Sequence, residues 1–229
     1  MSSLTRQPTT GLPRRRKALS RQPRAAGCGG DEAMKARKVK HLDPGGTLAD
    51  NAQRVVAVRI DELYDFVPAV LDPKRVKKLH AMRIAAKRLR YVLEVTSSVC
   101  FGPYALTATK RVRELQDLLG EIHDCDVQLP RVQQIRAELS ADAAAELTQR
   151  AAGAADLDPA LASALPHSED WAGLAALEHY LAVRRGLLYE RFLTVWQDIE
   201  RSALRARLEY AIAERPTLAS SAIETAPTN

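Results

Sequence analysis

The chain is poor in aromatic residues and contains three cysteines. Phe, Trp and Tyr make up 5% of its 229 residues, whereas 46% are hydrophobic and 27% are charged. Abundant alanine and leucine with few aromatic residues favour helices over sheets. The cysteines, Cys28, Cys100 and Cys125, are odd in number and far apart, so we expect no disulfide framework. This usage is typical of a protein of the reducing cytoplasm.

Long hydrophobic runs and strand-like alternation are also missing. No stretch approaches the ~18 consecutive apolar residues of a membrane-spanning helix, so we expect no membrane partner. No segment alternates convincingly between apolar and polar residues, as a half-buried strand does. The length suits one substantial domain or two small ones. The sequence therefore predicts the all-α class, as an antiparallel helical bundle of about four long helices.

The positive charge is concentrated in residues 1–40. They contain eleven Lys and Arg and two acids, a net charge of +9, whereas residues 41–229 contain 23 basic and 26 acidic residues, a net charge of −3. The segment is rich in Pro, Gly and Ser, which predicts a disordered basic N-terminal arm. Such an arm binds nucleic acid without specificity or is a solvated tail. A further hypothesis is that the native product begins at Met34, without residues 1–33.

Capping and breaking residues divide the rest of the chain into helices. Thr47 with Asp50 makes a capping-box-like start. Asp72 before Pro73 is a second start signal. Pro130 should kink or break the long helix that contains it. The predicted units are helices at about 48–66, 73–99, 103–129, 130–152 and 168–210, a linker at 153–168, one bundle over 41–212 and a flexible C-terminal tail over 213–229.

The segment Lys74–Arg90 contains eight Lys or Arg residues, one His and no acid. On a helical wheel, its core stripe consists of Leu79, Met82, Ala86, Leu89 and, just beyond it, Leu93. Another face carries the residues that we call the basic ladder: His80, Arg83, Lys87 and Arg90. The ladder is roughly 15 Å long at 1.5 Å per residue. A row of this length suits an extended polyanion, with forked donors from Arg and mobile point charges from Lys.

The alternative is that acids of the same fold neutralise the ladder. The nearby acids are Glu114, Asp117, Glu121, Asp124 and Asp126. The first four lie opposite the apolar stripe of Val112, Leu115, Leu119 and Ile122, which predicts a solvated face. Asp126 falls on the inward side, so we expect it to be the structural partner of an arginine.

Three more arginines interrupt or border apolar stripes of other helices. Arg59 lies in the stripe of the first helix, and Arg184 and Arg185 lie in or beside that of the last. A buried charge must be paired or must face water. These arginines therefore converge with the ladder on one basic groove, or they form pairs between helices or reach solvent with their head groups.

The run VKKLHAMRIAAKRLRYVLE (76–94), followed by RVRELQDLLGEIHDCDV (111–127), resembles the CHAD family, the conserved-histidine α-helical domains. The resemblance covers roughly residues 40–210. It implies a helical bundle that binds inorganic polyphosphate through a basic surface or channel at polyphosphate granules. It implies no catalysis, cofactor or metal. The site residues are His80, Arg83, Lys87, Arg88 and Arg90 with Lys77 on the same helix and, less distinctively, Arg59, Arg184 and Arg185.

The chain departs from the family pattern in carrying one histidine unit where family members often have two. A homodimer would restore the two-unit arrangement, because an isologous dimer is symmetric. Three rival functions remain. They are a nucleic-acid-binding module that uses the arm and the ladder, a helical scaffold with an internally paired ladder, and a metal-dependent phosphohydrolase of the HD type that uses His80, His123, Asp124 and Asp198.

Overall fold

The computed structural model describes residues 35–156, 158–163 and 168–214. Most of the predicted arm (1–34) and most of the predicted tail (215–229) lie outside these residues. The helices are α1 Leu48–Tyr64, α2 Val67–Val70, α3 Val76–Cys100, α4 Pro103–Arg150, α5 Pro159–Ser163, α6 Ser168–Arg201 and α7 Leu204–Ala213. The described residues contain no strand, so the predicted all-α class is confirmed. No helix among them is long and apolar enough to cross a membrane.

The start of α1 follows the predicted capping box. Its first turn is closed by Thr47, whose Oγ1 accepts a hydrogen bond from the Asp50 N–H at 3.1 Å. The start of α3 is later than predicted. Asp72 Oδ1 accepts the N–H of Lys74 at 3.0 Å and forms a local turn, so the helix begins at Val76 and not at Pro73.

The predicted break at Pro130 is wrong, because α4 is one continuous helix from Pro103 to Arg150. A proline removes one backbone hydrogen bond, at a cost of about 3 kcal/mol in a helix interior. Tertiary contacts offset this cost here. Val132 is buried, and Glu178 of α6 accepts hydrogen bonds from Gln133 at 2.9 Å and contacts Arg136 at 2.5 Å.

The last predicted helix is two helices. The chain leaves the helical conformation at Ala203, whose φ of 50° and ψ of 42° are left-handed, and α7 begins at Leu204. No glycine or proline marks this position, which is why the sequence predicted one helix to about residue 210. The break lets Leu204 and Leu208 of α7 return to the core.

The core is built by α4, which packs against both α3 and α6, while α1 packs on the other side of α3. The predicted stripe of α3, Leu79, Met82, Ala86, Leu89 and Leu93, is fully buried. Its partners on α4 include Val112, Leu115, Leu119 and Ile122, as predicted, and α6 contributes Phe192 and Ile199. Because α3 turns back into α4 through Phe101 and Gly102, the two helices are antiparallel, and one edge of α3 runs along α4.

Candidate functional site

The basic ladder lies along the seam between α3 and α4. The ring of His80 stacks on the ring of His123 with centroids 4.2 Å apart. Further along α3, Arg83 Nε lies 3.7 Å from the position that a Cβ on Gly120 would take. Arg90 then approaches Asp117, with Nη1 3.5 Å from Oδ1. The antiparallel packing thus matches successive ladder residues with successive turns of α4.

Four cations of α3 have no carboxylate partner in the described part of the chain, and we call three of them, Lys77, Arg83 and Lys87, the open strip. Arg83 and Lys87 belong to the ladder, whereas Lys77 lies about 80° further round the helix than Lys87. The fourth cation is Lys78. Lys77 and Lys87 are exposed, and Arg83 is partly buried. The Nε of Arg83 is buried and has no hydrogen-bond partner among the described residues. A buried donor without a partner is costly, and no described residue satisfies this Nε.

The ladder is neutralised at its far end. Arg90 Nε lies 3.2 Å from Glu94, in addition to the contact of its Nη1 with Asp117. Glu94 also accepts a hydrogen bond from Arg113 of α4 at 2.5 Å. The sequence carried a signal for this pairing, because Arg90 and Glu94 are four residues apart on one helix. Asp117 is 59% exposed, as predicted for a solvated face, but it also contacts Arg90 across the seam, which the helical wheel did not predict.

Arg59 and Arg88 share the carboxylate of Glu62. The side chain of Glu62 is 6% exposed, Arg59 Nη1 contacts it at 2.5 Å, and Arg88 of α3 pairs with its other oxygen. The pair ties α1 to α3 on the side of α3 away from the seam. Sequence reasoning did not single out Glu62. Its spacing of three residues from Arg59, within an apolar stripe, was the available signal.

Arg184 and Arg185 pair with acids of α4 and do not join the open strip. Arg185 Nε lies 3.0 Å from Asp126, and Arg185 Nη2 donates to the Pro73 carbonyl at 2.7 Å, so the prediction that Asp126 is a structural partner is confirmed. Arg184 contacts Glu121 at 2.5 Å. Glu121 remains 44% exposed, and its pairing with Arg184 was not predicted, because it depends on the packing of α6 against α4.

The surroundings of His80 favour its neutral form. Burial lowers the pKa of His80, and the neighbouring His123 and Arg83 lower this pKa further. Its Nδ1 is buried without a hydrogen-bond partner among the described residues. No group of three or more His, Cys, Asp or Glu in the described ranges could hold a metal ion. Asp198, part of the phosphohydrolase hypothesis, contacts Arg201 on its own helix at 3.2 Å.

Comparison with known proteins gives one match. A family model described as the CHAD domain matches residues 4–133, which is more than half of the chain. No curated protein and no solved structure matches. The match ends within α4, so it contains the whole open strip and the His80–His123 pair. Arg184 and Arg185 of α6 lie beyond it, although the resemblance was expected to extend to about residue 210.

Proposed function

The chain belongs to the CHAD domain family, and from this premise we propose that it binds inorganic polyphosphate without catalysing a reaction. The family is linked to polyphosphate binding, and the open strip supplies a surface with the chemistry that such a ligand requires. The observation that carries the proposal is that Lys77, Arg83 and Lys87 lack carboxylate partners among the described residues, whereas Arg88 and Arg90 of the same helix have them.

The charge arrangement favours a linear ligand over a single phosphate. Like charges at i,i+3 or i,i+4 spacing destabilise a helix by about 0.2–0.5 kcal/mol per pair, and an anion along the row removes this repulsion. From Lys77 to Lys87 the row is roughly 15 Å long. Polyphosphate presents a negative charge on each successive phosphate, so one chain segment reaches all members of the row.

The members of the row have different roles in this proposal. Arg83 presents a planar fork that suits two oxygens of one phosphate, and Lys77 and Lys87 act as mobile point charges on neighbouring phosphates. His80 adds a positive charge when it is protonated. The other predicted ligands, Arg88, Arg90, Arg59, Arg184 and Arg185, contribute through the field of the surface, because each already holds a carboxylate of the fold.

Binding to long-chain polyphosphate would place the protein at cytoplasmic polyphosphate granules. A homodimer would bring two open strips into one assembly and would lengthen the surface that a single chain of phosphates contacts. This part of the proposal is tested by light scattering with and without polyphosphate, which distinguishes two chains per particle from one.

The proposed function is tested by titrating the full chain with polyphosphate of defined length at several salt concentrations. Lysine and arginine replace the counterions of the polymer, so the logarithm of the binding constant should fall linearly with the logarithm of the salt concentration. Longer polymers should bind more tightly until they span the strip. Absence of binding, or an affinity that does not depend on salt, would contradict the proposal.

The high positive charge of residues 1–40 favours a second candidate, non-specific binding of nucleic acid. Few aromatic side chains are available for base stacking, which disfavours single-stranded ligands. Competition between long-chain polyphosphate and duplex DNA at roughly 150 mM salt separates the two candidates. We expect polyphosphate to displace DNA, and the reverse order would favour the nucleic-acid function.

A further inference from the structure

We propose that a groove between α1 and α3 binds an acidic amphipathic helix of a partner protein. The groove has a volume of about 560 Å³. Its walls are almost entirely apolar and consist of Leu42, Pro44, Leu48, Ala52, Val55, Tyr91, Val92 and Val95, with Asp43, Asn51 and Thr96 as the polar members. It lies beside the open strip, and Lys87 of the strip borders it.

The apolar walls of the groove are open to solvent. Leu48 of α1 is 61% exposed, and Val95 of α3 is 69% exposed. Tyr91 and Val99 extend the same exposed stripe of α3 by one turn in each direction. Single exposed apolar side chains are ordinary, but a contiguous set that lines a concave surface marks an interaction site. The groove therefore has the composition of an interface and not of a solvated surface.

The dimensions of the groove suit a helix. The lining residues of α3 run from Tyr91 to Thr96, and Val99 continues the exposed stripe beyond them, so that the stripe from Tyr91 to Val99 is roughly 12 Å long at 1.5 Å per residue. A partner helix of the same pitch places apolar residues at i, i+4 and i+7 over this distance, which is how amphipathic helices anchor in grooves. The trough between two packed helices accepts such a ridge of side chains.

The charges at the rim select an acidic partner. On the α3 side, Lys87 Nζ lies 5.6 Å from the centroid of the Tyr91 ring, so a cation borders the groove wall. On the α1 side, Arg54 is exposed and donates to Asn51 Oδ1 at 3.5 Å. The acid in the wall, Asp43, accepts the N–H of Gly45 at 2.9 Å, which holds its carboxylate in its own turn but does not remove its charge, so that Lys87 and Arg54 face one acid of the groove wall. A partner helix whose apolar face has acidic residues on both sides would match the cations of this rim.

The test uses two synthetic peptides of about 18 residues, long enough for five helical turns. Both peptides have the same leucine face. The residues beside this face are Glu in one peptide and Lys in the other. Fluorescence anisotropy with the full chain should show that the Glu peptide binds at least about tenfold more tightly than the Lys peptide, because the rim is positive. Val95→Asp should weaken binding of the Glu peptide by about tenfold or more, since it places a charge at the centre of the interface.

Leu187→Asp is the matched control, because Leu187 is 67% exposed on α6, away from the groove, and its substitution should leave peptide binding unchanged. The inference does not depend on polyphosphate binding, and Val95→Asp should keep the wild-type polyphosphate affinity. Equal binding of the two peptides, or equal binding by wild type and Val95→Asp, would overturn it. Two other outcomes would also overturn the proposal if the wild type binds neither peptide. Loss of binding to phosphatidylglycerol vesicles in Val95→Asp would assign the groove to a lipid surface. Loss of self-association in Val95→Asp would assign it to a second copy of the chain.

Discussion

The ring of His80 on α3 stacks on the ring of His123 on α4, with the ring centroids 4.2 Å apart. Burial, His123 and Arg83 all lower the pKa of His80 from its ordinary value of 6.5. The folded protein therefore holds His80 neutral at pH values where the unfolded chain already binds a proton. The contribution of His80 to stability is complete above pH 6.5 and is lost as the pH falls from 6.5 through the lowered pKa.

We expect the free energy of unfolding to fall as the pH is lowered below about 6.5, and His80→Gln to reduce this dependence. Urea denaturation at a series of pH values measures it. His179→Gln changes an exposed histidine of α6 and should keep the wild-type dependence. Bound polyphosphate favours the protonated ring, so its affinity should rise over the same pH range. An unchanged pH dependence in His80→Gln would show that His80 does not titrate as described.

We expect that substitution of Glu62 destabilises the protein more than substitution of any other acid of the bundle. Glu62→Gln leaves the guanidinium groups of Arg59 and Arg88 without their shared counter-ion in a site where the carboxylate is 6% exposed. Breaking a buried pair in this way costs about 3–5 kcal/mol, and we expect a loss near the lower limit because Arg88 is partly exposed. Thermal or urea unfolding measures the loss.

The control for Glu62 is Glu114→Gln. Glu114 is 59% exposed and contacts Arg111 of the same helix at 3.1 Å. An exposed pair of this kind contributes less than about 1 kcal/mol. Equal effects of the two substitutions would mean that burial of the Glu62 carboxylate does not determine its contribution.

We expect the substitution of Ala203 by glycine to stabilise the folded protein. The φ of Ala203, 50°, is left-handed, a conformation that costs a residue with a Cβ roughly 1–2 kcal/mol. Glycine adopts it without this cost but loses more entropy on folding, so Ala203→Gly should raise the free energy of unfolding by about 0.5–1 kcal/mol. Ala206→Gly, at an exposed position inside α7, should lower it by about 1 kcal/mol. Destabilisation by Ala203→Gly would contradict the conformation described for this residue.

Sequence patterns predicted the parts of the fold that depend on periodicity. The stripe from Leu79 to Leu93 and the capping of α1 by Thr47 are both confirmed. The errors occurred where tertiary contacts outweigh local preference. Pro130 does not end α4 because Glu178 and the burial of Val132 hold the next turns, and the break at Ala203 has no local signal.

The candidate site was only partly predictable for the same reason. A helical wheel places Arg83 and Lys87 on one face but does not say which acids lie opposite them. Glu121 pairs with Arg184 because α6 packs beside it, and Arg88 is drawn to Glu62 of α1. The pairing of each cation is a property of neighbouring helices, so the division into paired and unpaired residues needed the structure.

The central claim is tested most directly by comparing two double variants in polyphosphate titrations. Arg83→Ala with Lys87→Ala removes two charges from the open strip. The double variant Arg111→Ala with Arg201→Ala also removes two positive charges. Both of these arginines are exposed, and each already contacts an acidic residue of its own helix. We expect the first variant to lose at least about tenfold in affinity and to lower the salt slope by about two, and the second to bind nearly as wild type. Equal weakening in both would show that polyphosphate senses only total charge and would contradict the site.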